Sequence, residues 1–232
     1  MQMQKVLFIL ALCAVLILPV LASDSESQAH QTYHPTPLPT IETAAATDGS
    51  FGNSTVLVPI WKGIVAEGLW YHSQGRNIGF VGGGYAFRPH HSVILLPSIY
   101  GVKGGKWEHD TVALGFRTLV ETRRYLADIS VIRTFGGKNG EDHDVFVDPS
   151  HISARIGKIQ AGYAVEFFRH TGSGNGHSAH TNGNELLHGP RVGWEASSRI
   201  HLFYAALYKG GNHWEHKTGV AFFFADLIRK KK

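Results

Sequence analysis

Residues 158–185, KIQAGYAVEFFRHTGSGNGHSAHTNGNE, change character at their midpoint. In the first half Ile159, Ala161, Tyr163, Val165 and Phe167 alternate with Gln160, Gly162, Ala164 and Glu166. A period of two sends successive side chains to opposite sides of a pleated strand, so one face is apolar and the other polar or small. The second half is almost entirely Gly, Ser, Thr, Asn and His, the composition of a long polar loop. The same unit recurs outward in both directions.

In TVALGFRTLVE (residues 111–121), Val112, Leu114, Phe116 and Val120 oppose Thr111, Gly115, Arg117 and Glu121. In RVGWEAS (residues 191–197), Val192, Trp194 and Ala196 oppose Arg191, Gly193, Glu195 and Ser197. Ten segments read this way, at 63–72, 78–88, 92–100, 111–121, 124–135, 151–156, 159–169, 190–197, 199–209 and 218–228. The sixth segment is short, and merging it with the seventh would give eight or nine strands. STVLVPIW (Ser54–Trp61) is a further candidate that would break the parity, and Pro97 lies inside a strand, where it removes a ladder donor unless it sits at a bulge. Polar connections such as SQGRN, GVKGGKWEHD and GGNHWEHK alternate with tight turns such as PHH, ET and GK. An up-and-down meander puts all the long loops at one end and all the turns at the other.

That asymmetry resembles a small outer-membrane β-barrel of a Gram-negative bacterium. The resemblance implies an all-β, antiparallel, up-and-down transmembrane barrel whose external loops do the work, and outer-membrane lipid as a partner. Lipid would meet Tyr85, Phe87, Tyr125, Tyr163, Phe167, Trp194, Tyr204 and Tyr208. The lumen would hold Arg117, Glu121, Asp128, Arg155, Gln160, Glu166, Arg191 and Glu195, whose two signs suit a mutually paired interior. A soluble ligand-carrying barrel would reverse the faces, and alternation alone does not choose between them.

The ends of the chain fit export. Lys5, the run VLFILALCAVLILPVL and Val20-Leu21-Ala22 read as a cleaved signal peptide over residues 1–22. The lone cysteine, Cys13, falls inside it, so no disulfide is expected in the exported chain. Residues 23–53, rich in Pro, Thr and Ala, read as a flexible leader, residues 54–228 as the barrel, and residues 229–232 as a basic tail. The expected location is the outer membrane, with the periplasm or the medium as alternatives. The formal charge of +4 over 232 residues, with no matching motif, gives no reason to expect a nucleic-acid partner.

Chemistry is less legible. His177 with His180, and His213 with His216, have i, i+3 spacing near Glu108, Asp110, Asp142, Asp144 and Glu215. Imidazole and carboxylate together suit a loop-bound divalent transition metal, although no zinc-finger or HExxH spacing occurs. FFRHTGSGN resembles the strand-end His and Ser of lipid A deacylases, which implies Ser173 as nucleophile, His170 as base and Glu185 as its orienting carboxylate. It departs from that family at Thr171 and Gly172, which separate His from Ser, and at Gly174, where Asn should follow. Asp142, His143 and Asp144 supply the residue types of an omptin protease, but as loop neighbours. The expected role is therefore structural or surface-interacting through Gly/His-rich external loops. A lipid-active esterase and a narrow small-solute channel are the alternatives, with no confident cofactor.

Overall fold

The computed structural model describes residues 40–49, 51–73, 76–104, 111–136, 143–171 and 185–223. Its strands are β1 (Thr40–Ala46), β2 (Phe51–Trp61), β3 (Ile64–Ser73), β4 (Arg76–Tyr85), β5 (Phe87–His90), β6 (Val93–Gly104) and β7 (Thr111–Glu121). They continue as β8 (Tyr125–Phe135), β9 (His143–Ile156), β10 (Ile159–Thr171), β11 (Glu185–Ser197), β12 (Ile200–Gly210) and β13 (His213–Phe223). All pairings are antiparallel. The sheet runs from β4 back through β1 to β13 and on down to β6 and β5, and a β4–β6 pairing closes it. Since β4 and β5 are two parts of one stave, the barrel has twelve staves rather than ten or eight.

Of the two additional staves, β1 lies in the expected leader, and β2 extends the candidate segment at 54–61 back to Phe51. β1 bridges β13 and β2 along nearly its whole length, from Thr40↔Phe223 to Ala46↔Lys217 and from Thr40↔Leu57 to Ala45↔Gly52. Its sequence, TIETAAA, carries a single large apolar residue, so its strand state comes from two edges that need a partner. β2 starts at Phe51 and contains the doubtful STVLVPIW segment. Among the described residues the barrel therefore begins at Thr40, ahead of the expected start at residue 54. The proposed signal peptide and basic tail lie outside the described residues.

Several supposed loops are also strand. β11 begins at Glu185 and β9 at His143, while β13 takes in HWEHK behind a turn at Gly211–Asn212. Both turn residues have positive φ, 58° and 65°, which suits a two-residue hairpin whose twist matches the strands. Pro97 is accommodated because β4 pairs as far as Gly84↔Ser98 and β5 resumes at Phe87↔Leu95. The interruption at Tyr85–Ala86 stands opposite the proline, where a donor is missing. β9 takes up one extra residue between Val147 and Ser150, a bulge that contains Pro149.

Exposure assigns the faces. Leu114 and Trp194 are each 51% exposed, whereas Arg117 is 8% and Arg191 is 9% exposed. The apolar face points outward, as a membrane barrel requires and a soluble ligand-carrying barrel does not. Glycine lets neighbouring staves approach at two places in particular. A Cβ on Gly82 would fall on the Ile99 carbonyl oxygen, and one on Gly162 on the Ile152 carbonyl oxygen. Gly162→Ala is expected to lower the folded fraction in a urea titration by at least about 1–3 kcal/mol, since backbone must move. Gly157→Asn at a positive-φ turn, φ 61° with open space around it, is expected to be nearly neutral.

Candidate functional site in the barrel lumen

The inward side chains of opposing staves meet and fill much of the lumen. At the loop end an aromatic cluster joins Tyr71, Phe80, Tyr100 and Phe146, with Phe51 and Phe168 against it and Leu69, Val102 and Ile132 around it. Phe146 stacks on Tyr71 at 5.8 Å, meets Phe80 edge-on at 5.7 Å and touches Phe168 at 4.9 Å between ring centroids. Offset and edge-on contacts of this kind stabilise the cluster beyond its buried area. Leu57, Val65 and Leu96 form a smaller apolar group toward the turn end.

Charged side chains occupy the rest. Arg117 holds Asp128 through both ends of its fork, with Nε donating to Oδ1 at 2.8 Å and Nη2 to Oδ2. Near the turn end Arg155 reaches Glu121 and Glu195, each at 3.0 Å, and its Nη1 donates to the Thr122 carbonyl at 3.2 Å. Gln160 Nε2 donates to the same Glu195 at 3.0 Å. Lys217 holds Glu166, lies 3.1 Å from Glu215 and sits 4.0 Å over the Phe51 ring. Tyr100 donates to Glu67 at 2.5 Å, and Lys209 is paired with Glu185 at the loop end. Each pair joins different strands except Lys217–Glu215, so the network ties staves together across the lumen as well as side by side.

Arg191 differs from these. Its guanidinium lies 4.6 Å from the Phe203 ring, and its Nη1 has no hydrogen-bond partner in the protein, as is also true of His151 Nε2. Both line a small cavity with Glu42, Asn53, Ser150, Glu166 and Lys217. The space open to the centre of a water-sized sphere there is about 30 Å³, room for roughly two waters.

Of the charges expected in the lumen, Arg117, Asp128 and Arg191 are buried, and Arg117, Glu121, Asp128, Arg155, Glu166 and Glu195 stand in ion pairs. The sequence reading missed Glu42, Glu67, His151, Lys209, Glu215 and Lys217. Glu42 lay in the supposed leader, and Glu215 and Lys217 in a supposed loop. Glu67 sits between Val65 and Leu69 opposite Ala66, Gly68 and Trp70, so its strand had no polar face to read. Only charge inside a period-two segment could have signalled it.

The chemical candidates fare differently. Ser173, His177 and His180 lie outside the described residues, as do Glu108, Asp110 and Asp142. His170 falls on β10 opposite Asp144, and the Glu185 carboxylate, the third member of the deacylase-like triad, pairs with Lys209. His143 and Asp144 open β9 as strand residues. His213 and His216 belong to β13, not to a loop. His216 faces outward with its Nδ1 2.6 Å from the Tyr204 hydroxyl, and His188 makes the same contact with Tyr163 at 2.5 Å. Among the described residues no three His, Cys, Asp or Glu side chains converge as a metal site would need. Of the longest loop expected to carry surface interactions, residues 170–189, both ends are strand and residues 172–184 are likewise outside them.

A scan of family models finds no match, and neither does a search of curated proteins. Solved structures do match. The KdgM porin aligns with a TM-score of 0.56 at 12% identity, over 80% of this chain and 99% of that one. KdgM in complex with disordered oligogalacturonate gives a TM-score of 0.55 at 12% identity over the same shares. The NanC porin gives 0.52 at 11% identity, over 80% of this chain and 98% of that one. At these identities the likeness is one of architecture, and the chain has the fold of an outer-membrane porin barrel.

Proposed function

We propose that this chain is a narrow outer-membrane channel for small solutes. The observation that carries the reading is the lumen: a closed twelve-stave barrel whose interior holds a network of paired charges beside an aromatic cluster and a smaller apolar group, with an apolar outer face. Twelve staves lie between the eight-stranded barrels that side chains fill completely and the sixteen-stranded porins with wide aqueous channels. The water-sized cavity beside the Lys217–Glu166 pair suits ions and small polar molecules. The porin fold of KdgM and NanC supports the same class of activity.

The charge balance refines the solute. Among the described residues the lumen carries Glu42, Glu67, Glu121, Asp128, Glu166, Glu185, Glu195 and Glu215 against Arg117, Arg155, Arg191, Lys209 and Lys217. KdgM has been solved with oligogalacturonate, a sugar chain with a carboxylate on each residue. The excess of carboxylates here disfavours such a polyanion and favours small cations or neutral solutes. The test is conductance of the folded protein in a planar bilayer under a salt gradient. The reversal potential is expected to show a modest cation preference. Lys217→Gln, which releases Glu166 and Glu215, should increase that preference, and Glu166→Gln should reduce it. Absence of conductance from protein shown to be folded and inserted would sink the channel reading.

A further inference from the structure

The outer wall has a charge pattern of its own. Every strand carboxylate whose side chain is described faces the lumen. Among the described strand residues at the loop end, by contrast, the Lys, Arg, Asp and Glu side chains facing outward are the cations Lys103, Arg133 and Arg169. Arg133 on β8 stands opposite Val145 on β9, and Val145 stands opposite Arg169 on β10. The two arginines thus flank one valine in a single row, with Cα atoms about 10 Å apart across two strand spacings. The Arg133 guanidinium lies 5.0 Å from the Phe135 ring, which holds it against the wall.

Height explains why these cations matter. On β10 the outward residues from Ile159 to Phe167 are apolar, a band of about 21 Å at the usual strand rise and tilt. Arg169 is the next outward residue, so it stands at the upper edge of the apolar belt. On β8, Arg133 follows Ile129 and Val131 in the same way. An occupant of this row must have acyl chains against the belt and an anion at its top. Two forked donors in register fit the oxygens of a phosphate, which accepts several charge-assisted hydrogen bonds at once.

We propose that Arg133 and Arg169 form a binding site for a phosphate-bearing membrane lipid on the outside of the barrel, at the end where the long loops emerge. The site is independent of whether the lumen conducts. Full-length protein folded in detergent would be titrated with dioleoyl phosphatidic acid and, separately, with dioleoylglycerol, which has the same chains and no phosphate. Retained lipid is read by native mass spectrometry.

The expected result is retention of the phosphatidic acid alone, weakened roughly tenfold to thirtyfold in Arg133→Gln/Arg169→Gln, the effect of two cations near an anionic head group. Arg123→Gln/Arg124→Gln, at the exposed turn between β7 and β8, should leave retention unchanged. Arg133→Lys/Arg169→Lys, which keeps both charges but not the forks, should fall between wild type and the Gln pair and shows that the site tolerates substitution. Equal retention by the Gln pair, or equal retention of both lipids, overturns the proposal. Displacement by millimolar inorganic phosphate would reassign the site to free phosphate and overturn the lipid assignment.

Discussion

Asp128→Asn is expected to cost about 3–5 kcal/mol of folding stability, because it leaves the Arg117 guanidinium charged and buried without its carboxylate. The amide keeps the shape of the carboxylate and loses the charge, so the change isolates electrostatics from packing. The reciprocal Arg117→Met strands Asp128 in the same way and belongs in the same range. Replacing both, as Arg117→Met/Asp128→Leu, should recover most of the loss, since a well-packed apolar pair avoids the desolvation of two ions. The measurement is a urea titration of the detergent-folded barrel, scored by the gel shift between boiled and unboiled protein. A double variant no more stable than either single one would mean that the pair is favourable in itself. Single variants within about 0.5 kcal/mol of wild type would place the pair in water rather than in the wall of a filled lumen.

The second large effect concerns the aromatic cluster. Phe146→Ala removes the ring on which Tyr71, Phe80 and Phe168 converge. A Phe→Ala change at a buried site costs about 3–5 kcal/mol, so the folded fraction should fall at a given urea concentration. What remains folded should conduct better, by roughly twofold or more, if this cluster is the narrowest part of the lumen. Phe146→Leu should restore most of the stability and return the conductance toward wild type. Conductance unchanged in folded Phe146→Ala would move the constriction away from the loop end. The next place to look would be the cavity at Arg191 and His151.

These two experiments probe different depths. The Arg117–Asp128 pair joins neighbouring staves and resists their sliding, while the aromatic cluster spans strands from β2 to β10 and sets the bore. A barrel closed by antiparallel ladders tolerates change on its outer face more readily than on either of these inner features.

The alternation from Ile159 to Phe167, and its repetition in ten segments, determined that this chain forms antiparallel strands with one apolar face. The alternation of loops and turns determined that they follow one another up and down. Local periodicity is a property of neighbouring residues, so a single chain carries it in full. It also suggested which charges share a face, and Arg117, Arg155, Glu166 and Glu195 each stand in an ion pair with another strand. Closure was different. β1 has no apolar stripe of its own and becomes a stave only because β13 and β2 each offer an unpaired edge beside it. The stave number, and with it the bore, therefore lay beyond the reach of periodicity.

Partner choice was likewise tertiary. Arg155 meets Glu121 and Glu195 from strands on either side, at separations of 34 and 40 residues in the chain, because strand register brings them to one height. The direction of the apolar face followed from closure too: a flat sheet with this alternation has two faces, and only bending it into a ring makes one of them an inside.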